Sequence, residues 1–358
     1  MKIAQVAPLF ERVPPKMYGG TERVVSYLTE ELINMNHDVT LFASGDSITN
    51  AKLVSPCDEA LRLSKDVKDP LAYTILQLEQ IRNLKDEFDL IHFHIDFIHY
   101  PFSKLMGVPN ITTLHGRLDL PDLQNVYKSF YDMPVISISN AQRKPLPYAN
   151  WVGTVYNGIP ENLLKFHPAE GKYLAFLGRI SPEKGIERAI EIAKKAGIKL
   201  MIAAKVDPVD KEYFDNVISP LLNNPLIEFV GEINEKEKND FLGNSIALLF
   251  PIDWPEPFGL VMIESFACGT PVIAYNRGSV SEIVEDGVNG FIVNSVEEAV
   301  DAINKLYLVS RKQCRKTFES KYTSKIMAEN YLNCYEVLVD IKTSLPFLKN
   351  ESSDLLTI

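Results

Sequence analysis

The sequence predicts an α/β protein built from two doubly wound domains in tandem. Three observations lead there. Short apolar runs alternate with amphipathic helical stretches along nearly the whole chain, the pattern of repeated βαβ units. The alternation restarts after Tyr156-Asn157-Gly158-Ile159-Pro160, where Asn-Gly and Pro are expected to mark a turn. A chain of 358 residues is also too long for one hydrophobic core, since single domains hold roughly 100–200 residues.

Residues 2–8 read as a short buried strand running into a loop that carries Pro14, Pro15, Gly19 and Gly20. Val24, Val25, Leu28, Leu32 and Ile33 then recur close to the 3.6-residue period of a helix, and residues 38–43 form the next strand. Strand, helix and strand in such quick succession make one βαβ unit, which demands a parallel sheet covered by helices. Apolar runs at 90–94, 111–114 and 135–139 extend that sheet. Beyond residue 160 the same reading places strands at 173–177, 199–203, 227–230, 247–250, 271–274 and 290–292. Helices fit 186–196, 235–244, 259–268 and 296–306. Residues 322–338 mix apolar and charged positions as a terminal helix would, and the tail 352–358 is expected to fray. The result is two Rossmann-like domains facing a central cleft, and such folds bind ligands at the carboxyl ends of their strands.

Fold class leaves the chemistry open, and composition narrows it. With 37 Lys and Arg against 47 Asp and Glu the formal charge is −10, so neither a nucleic-acid binder nor an anionic-membrane binder is expected. Hydrophobic residues at 46% and charged residues at 23% are those of a globular chain. Cys57, Cys268, Cys314 and Cys334 form no CxxC pair, so neither a zinc site nor a disulfide framework is expected. The opening MKIAQVAPLF is too short for a signal peptide or a membrane span. A soluble cytoplasmic protein is the expectation.

Glu256 and Glu264 lie eight residues apart and flank a loop expected to become a helix at residues 258–260. That puts Glu256 on the loop and Glu264 about two turns into the helix. The backbone N–H groups of Phe258, Gly259 and Leu260 lie between them at the positive helix end, suited to phosphate or sugar oxygens. Arg179 and Lys184 follow an apolar strand and precede a helix, where a forked cation and a point cation can face a diphosphate. Taken alone, these residues read more readily as solvated charges, Arg179 and Lys184 standing beside Glu183 and Glu187. His115 ends a strand, and Gly19-Gly20 sits in the first loop without forming a GxGxxG dinucleotide fingerprint. His92 and His94 share a strand face near Asp96 and His99, but no Cys or carboxylate cluster completes a metal site, and none is expected.

The run from Glu256 through Pro257-Phe258-Gly259-Leu260 to Glu264 resembles the EX7E signature of the retaining glycosyltransferases of family 4, which have the GT-B fold. Gly178-Arg179-Ile180-Ser181-Pro182-Glu183-Lys184-Gly185 resembles that family's strand-end basic motif. Tyr18-Gly19-Gly20-Thr21-Glu22 resembles its glycine-rich first loop, Thr113-Leu114-His115-Gly116 its His-bearing strand end, and Tyr156-Asn157-Gly158-Ile159 its crossing between domains. The resemblance implies a retaining, metal-independent hexosyltransferase with no cofactor, UDP-glucose being the favoured donor. It implies an N-terminal acceptor domain over residues 1–157, completed by a helix at about 325–350, and a donor domain over 158–324. By the same implication Arg179 and Lys184 hold the donor diphosphate, and His115 and Glu256 touch the transferred sugar. Glu264 takes the ribose hydroxyls, while Gly19, Gly20 and the amides of Phe258, Gly259 and Leu260 meet phosphate and sugar. A soluble small-molecule acceptor is expected ahead of a lipid-linked or polysaccharide one. Two other readings stay open: a UDP-sugar epimerase of the same architecture, and a non-catalytic sugar-nucleotide binding protein.

Overall fold

The computed structural model describes residues 1–351 except Tyr18, Leu63, Lys65 and Asp66, with backbone alone from 341 to 351. Tyr18 of the glycine loop and the tail 352–358 therefore lie outside the described residues.

Two parallel sheets form the frame. The first holds β1 (Lys2–Val6), β2 (Asp38–Phe42), β3 (Lys52–Val54), β4 (Leu90–Phe93), β5 (Asn110–Leu114), β6 (Pro134–Ser137) and β7 (Asn150–Thr154), ordered β3-β2-β1-β4-β5-β6-β7. The second holds β8 (Tyr173–Arg179), β9 (Leu200–Lys205), β10 (Ile227–Gly231), β11 (Ser245–Phe250), β12 (Val272–Tyr275) and β13 (Gly290–Val293), ordered β10-β9-β8-β11-β12-β13. In each sheet the order reverses beside the first strand, between β1 and β4 and between β8 and β11. Crevices open at such switch points, outside the carboxyl ends of the strands.

Strands β1, β2, β4 and β12 bury nearly every residue, because helices cover both faces of a parallel sheet, and this makes them readable as apolar runs. The short strands β3 and β7 show no such run. They are edge strands, exposed or half-buried along their length, and an edge lacks the two-sided burial that selects apolar side chains. Helix Ile186–Ala196 keeps its expected bounds: Ile186, Ala189, Ile190 and Ala193 make the buried stripe, and Gly197 in the left-handed conformation ends it.

The segment at Asn157-Gly158 is not the turn its composition suggests. Ile159 N–H donates to Tyr322 O at 3.0 Å and Ser324 N–H donates to Ile159 O at 2.8 Å, pairing the outgoing and returning crossings in parallel. Gly158 is required here for closeness rather than for unusual dihedrals: a Cβ would lie 2.3 Å from Thr323 O. The returning chain forms helix Ser324–Glu351, which packs on helix Gly20–Asn34. Its Met327, Ala328, Tyr331 and Tyr335 share one apolar cluster with Ile3, Val24, Leu28, Leu90 and Ile111 of the first sheet's layer. Among the described residues no helix is long and apolar enough to cross a membrane.

Candidate active site

Between the two sheets lies a cavity of about 470 Å³, within the ~300–1,000 Å³ typical of small-molecule sites. All ten residues singled out from the sequence line it. Gly19, Gly20 and His115 come from the first half, and Arg179, Lys184, Glu256, Phe258, Gly259, Leu260 and Glu264 from the second. The two glycine-bearing loops face each other closely, since a Cβ on Gly20 would stand 3.9 Å from Leu260 Cδ1.

Lys184 Nζ donates to Glu256 Oε2 at 2.5 Å, and Trp254 Nε1 donates to the same oxygen at 3.0 Å. Glu256 sits on a loop held from below: Ser279 N–H donates to Glu256 O at 3.0 Å and Ser279 Oγ to Phe258 O at 2.8 Å. Gly259 takes φ +84°, a conformation that favours glycine, and starts helix Leu260–Ala267. Glu264 is the fifth residue of that helix, nearer its start than the expected two turns. It is buried and accepts from Lys238 Nζ at 2.7 Å.

Arg179 and Lys184 line the cavity, but they do not stand as a pair of cations facing it alone. Lys184 is matched to Glu256, and Arg179 Nη2 donates to Glu183 Oε1 at 2.7 Å with Asp207 and Asp210 each 3.9 Å from the guanidinium. The Glu183 neighbour expected from sequence is thus real, and it coexists with the cavity position because the guanidinium has several donors.

His115 is half-buried, and its Nε2 lies 2.8 Å from His94 Nδ1. Burial lowers the His115 ring to a pKa of about 4 and holds His92 and His94 well below the usual histidine value. His92 and His94 are occupied by Tyr335, Thr113, Gln5 and His115.

Two family matches divide the chain where the sheets do. Residues 18–162 match the family described as Glycosyltransferase Family 4, and residues 164–321 the one described as Glycosyl transferases group 1. The chain is a glycosyltransferase of the family 4 type. It is 24% identical to an uncharacterized glycosyltransferase of Methanocaldococcus jannaschii, over 95% of this chain and 99% of that one. It is 22% identical to O-antigen chain mannosyltransferase C of Escherichia coli, over 95% of this chain and 100% of the relative. The Anabaena protein HepE, solved with UDP and glucose, superposes with a TM-score of 0.72 at 17% identity, covering 93% of this chain and 98% of its own. The two facing sheets are therefore the GT-B fold of this glycosyltransferase.

Other cavity residues of the glycosyltransferase escaped the sequence reading. Lys238 lies in Glu235-Lys236-Glu237-Lys238, which reads as a solvated helix face, and nothing local marks it. Arg23 follows the glycine loop by one helical turn and pairs with Glu235 across the cleft; the adjoining motif was its available signal. Trp254 precedes Glu256 by two residues and places its ring 5.0 Å from Lys184 Nζ. Asn157 Oδ1 is buried at the cavity without a partner among the described residues, an orphaned acceptor that the crossing motif had hidden.

Proposed function

We propose that this glycosyltransferase moves a hexose, glucose favoured, from UDP-glucose to an acceptor hydroxyl, with retention of configuration and without a metal ion. The observation that carries the reading is the meeting of Lys184, Glu256, Glu264 and the Gly259 turn in one cavity that His115 closes from the other half. HepE is solved with UDP and with UDP-glucose, which supports a uridine diphosphate donor. The second sheet's half takes the donor and the first half a soluble acceptor in the cytoplasm.

In this reading Arg179 and Lys184 stabilise negative charge as it grows on the leaving diphosphate. The amides of Phe258, Gly259 and Leu260 receive phosphate and sugar oxygens at the helix start, with Gly19 and Gly20 approaching from the opposite wall. Glu264 accepts from the ribose hydroxyls, and Glu256 and His115 from hydroxyls of the sugar. The bond from sugar C1 to the phosphate oxygen breaks, the acceptor oxygen bonds to C1 on the same face, and the departing phosphate oxygen takes the acceptor's proton. Both family matches are to glycosyltransferases, so the epimerase reading is not favoured. The E. coli mannosyltransferase makes GDP-mannose the second donor to test.

Calorimetry with UDP, GDP, UDP-glucose and GDP-mannose, each with and without EDTA, tests the donor. UDP-glucose is expected to bind most tightly, with chelation leaving affinity unchanged. Lost affinity in EDTA overturns metal independence, and preference for GDP-mannose overturns the donor. The anomeric configuration of the product, read by NMR, tests retention.

A further inference from the structure

Behind His115 runs a hydrogen-bonded chain whose direction can be assigned. His94 Nε2 lies 2.9 Å from Gln5 Oε1, an atom that only accepts. His94 therefore carries its proton on Nε2 and offers a lone pair at Nδ1. His115 donates to that lone pair from its own Nε2, which leaves His115 Nδ1 unprotonated and, among the described residues, without a partner. Onward from Gln5, the amide Nε2 donates to Tyr335 OH at 3.2 Å, and the Tyr335 hydroxyl donates to His92 Nδ1 at 2.6 Å. His92 Nε2 donates to Thr113 Oγ1 at 2.7 Å, and Thr113 donates to Tyr331 OH at 3.0 Å. Each donor meets one acceptor, always in the same sense. The sense is set by the orientation of the Gln5 side-chain amide, with Oε1 toward His94 and Nε2 toward Tyr335, and the Thr113–Tyr331 bond runs the same way.

Sheet register supplies the alignment, since Gln5 of β1 stands opposite His92 of β4, while Tyr331 and Tyr335 descend from the returning helix. The three rings are neutral because they are desolvated, as an unbroken one-way chain requires. We infer that His94 and Gln5 are positioning residues that hold His115 in its Nε2–H tautomer and aim an Nδ1 lone pair at a hydroxyl of the transferred sugar, with Tyr335 of the returning helix locking that choice. The aim at the sugar rests on the proposed function; the tautomer does not. A lone pair at this point accepts a hydroxyl proton, whereas the opposite tautomer would present a donor.

The tautomer itself is the test. In the full chain labelled with 15N-histidine, long-range 1H–15N spectra should show His115 as the Nε2–H form at neutral pH, its signals assigned by their loss in His115→Gln. Gln5→Met and Tyr335→Phe alter residues that do not line the cavity. Each should turn the single form into a mixture and lower kcat about ten- to a hundredfold, with donor KM moving far less. UDP-glucose should shift the His115 Nδ1 resonance, and UDP alone should not. An Nδ1–H form in the wild type overturns the relay, as does a tautomer unchanged in both variants. A resonance indifferent to UDP-glucose, under calorimetrically verified binding, overturns the contact with the sugar while leaving the donor assignment intact.

Discussion

Lys184 Nζ and Glu256 Oε2 meet at 2.5 Å, tying the loop after β8 to the loop after β11 at the floor of the cavity. Their side chains are 16% and 12% exposed, so each offsets much of the other's desolvation cost. In the proposed function, a diphosphate and this carboxylate compete for the same ammonium group.

Glu256→Gln uncovers the Lys184 charge. UDP affinity is expected to hold or rise in this variant while transfer falls on the order of 100-fold. Lys184→Met should instead lose UDP affinity by about 1.5–3 kcal/mol. Calorimetry and transfer rates read the two effects, and equal losses of UDP affinity in both variants would sink this division of labour.

Glu264 and Lys238 form a pair 4% and 14% exposed. Removing one partner of a buried pair strands the other, which costs about 3–5 kcal/mol in full burial. Because Glu235 stands 3.7 Å from Lys238, Glu264→Ala is expected to lose about 2–3 kcal/mol of stability. Adding Lys238→Met should restore part of it. Urea unfolding of the four proteins in this cycle measures the coupling, and strict additivity would contradict it. If the proposed ribose contact holds, Glu264→Ala also binds UDP about 1.5–3 kcal/mol more weakly, read by calorimetry.

Gly158→Ala drives a methyl group against the Thr323 carbonyl, a backbone atom that cannot rotate away. A cost of about 1–3 kcal/mol is expected, as for overpacked cores. Gly197→Ala is the comparison: that glycine has open space but a φ of +68°, so its penalty is conformational alone. Thermal denaturation should rank the two costs, and hydrogen exchange should show the returning helix losing protection in Gly158→Ala only.

The buried histidines make stability depend on pH. In the unfolded chain histidine titrates near ~6.5, whereas burial lowers folded His115 to about 4 and His92 and His94 well below normal. Below pH ~6.5 the unfolded chain binds more protons, so this stabilisation is complete above that value and is lost as pH falls toward the folded pKa values. The slope reaches ~1.4 kcal/mol per pH unit for each ring. Urea unfolding at pH 7 and pH 5 should show His94→Gln losing less than the wild type across the interval. An equal loss would remove His94 from the account.

The repeated βαβ plan was legible in the sequence because strands buried on both faces must be apolar and helices buried on one face repeat every 3.6 residues. The site was legible in part for a related reason: the residues after β8 and β11 form contiguous strings, so Arg179 with Lys184, and Glu256 with Glu264, could be read as groups. Their partners on distant segments could not. Lys238 lies 26 residues from Glu264, Glu235 lies 212 from Arg23, and Tyr335 lies 330 from Gln5. The same limit explains Asn157-Gly158, whose composition suits a turn but whose conformation is imposed by Thr323 on the returning chain. By itself the sequence determined the two sheets, their covering helices and the chemical groups offered at the strand ends, because those follow from local periodicity and local order. Which carboxylate meets which cation across distant segments, and which way the histidine chain points, only the tertiary structure decided, because those hydrogen bonds and ion pairs depend on distances of a few ångströms that packing alone sets.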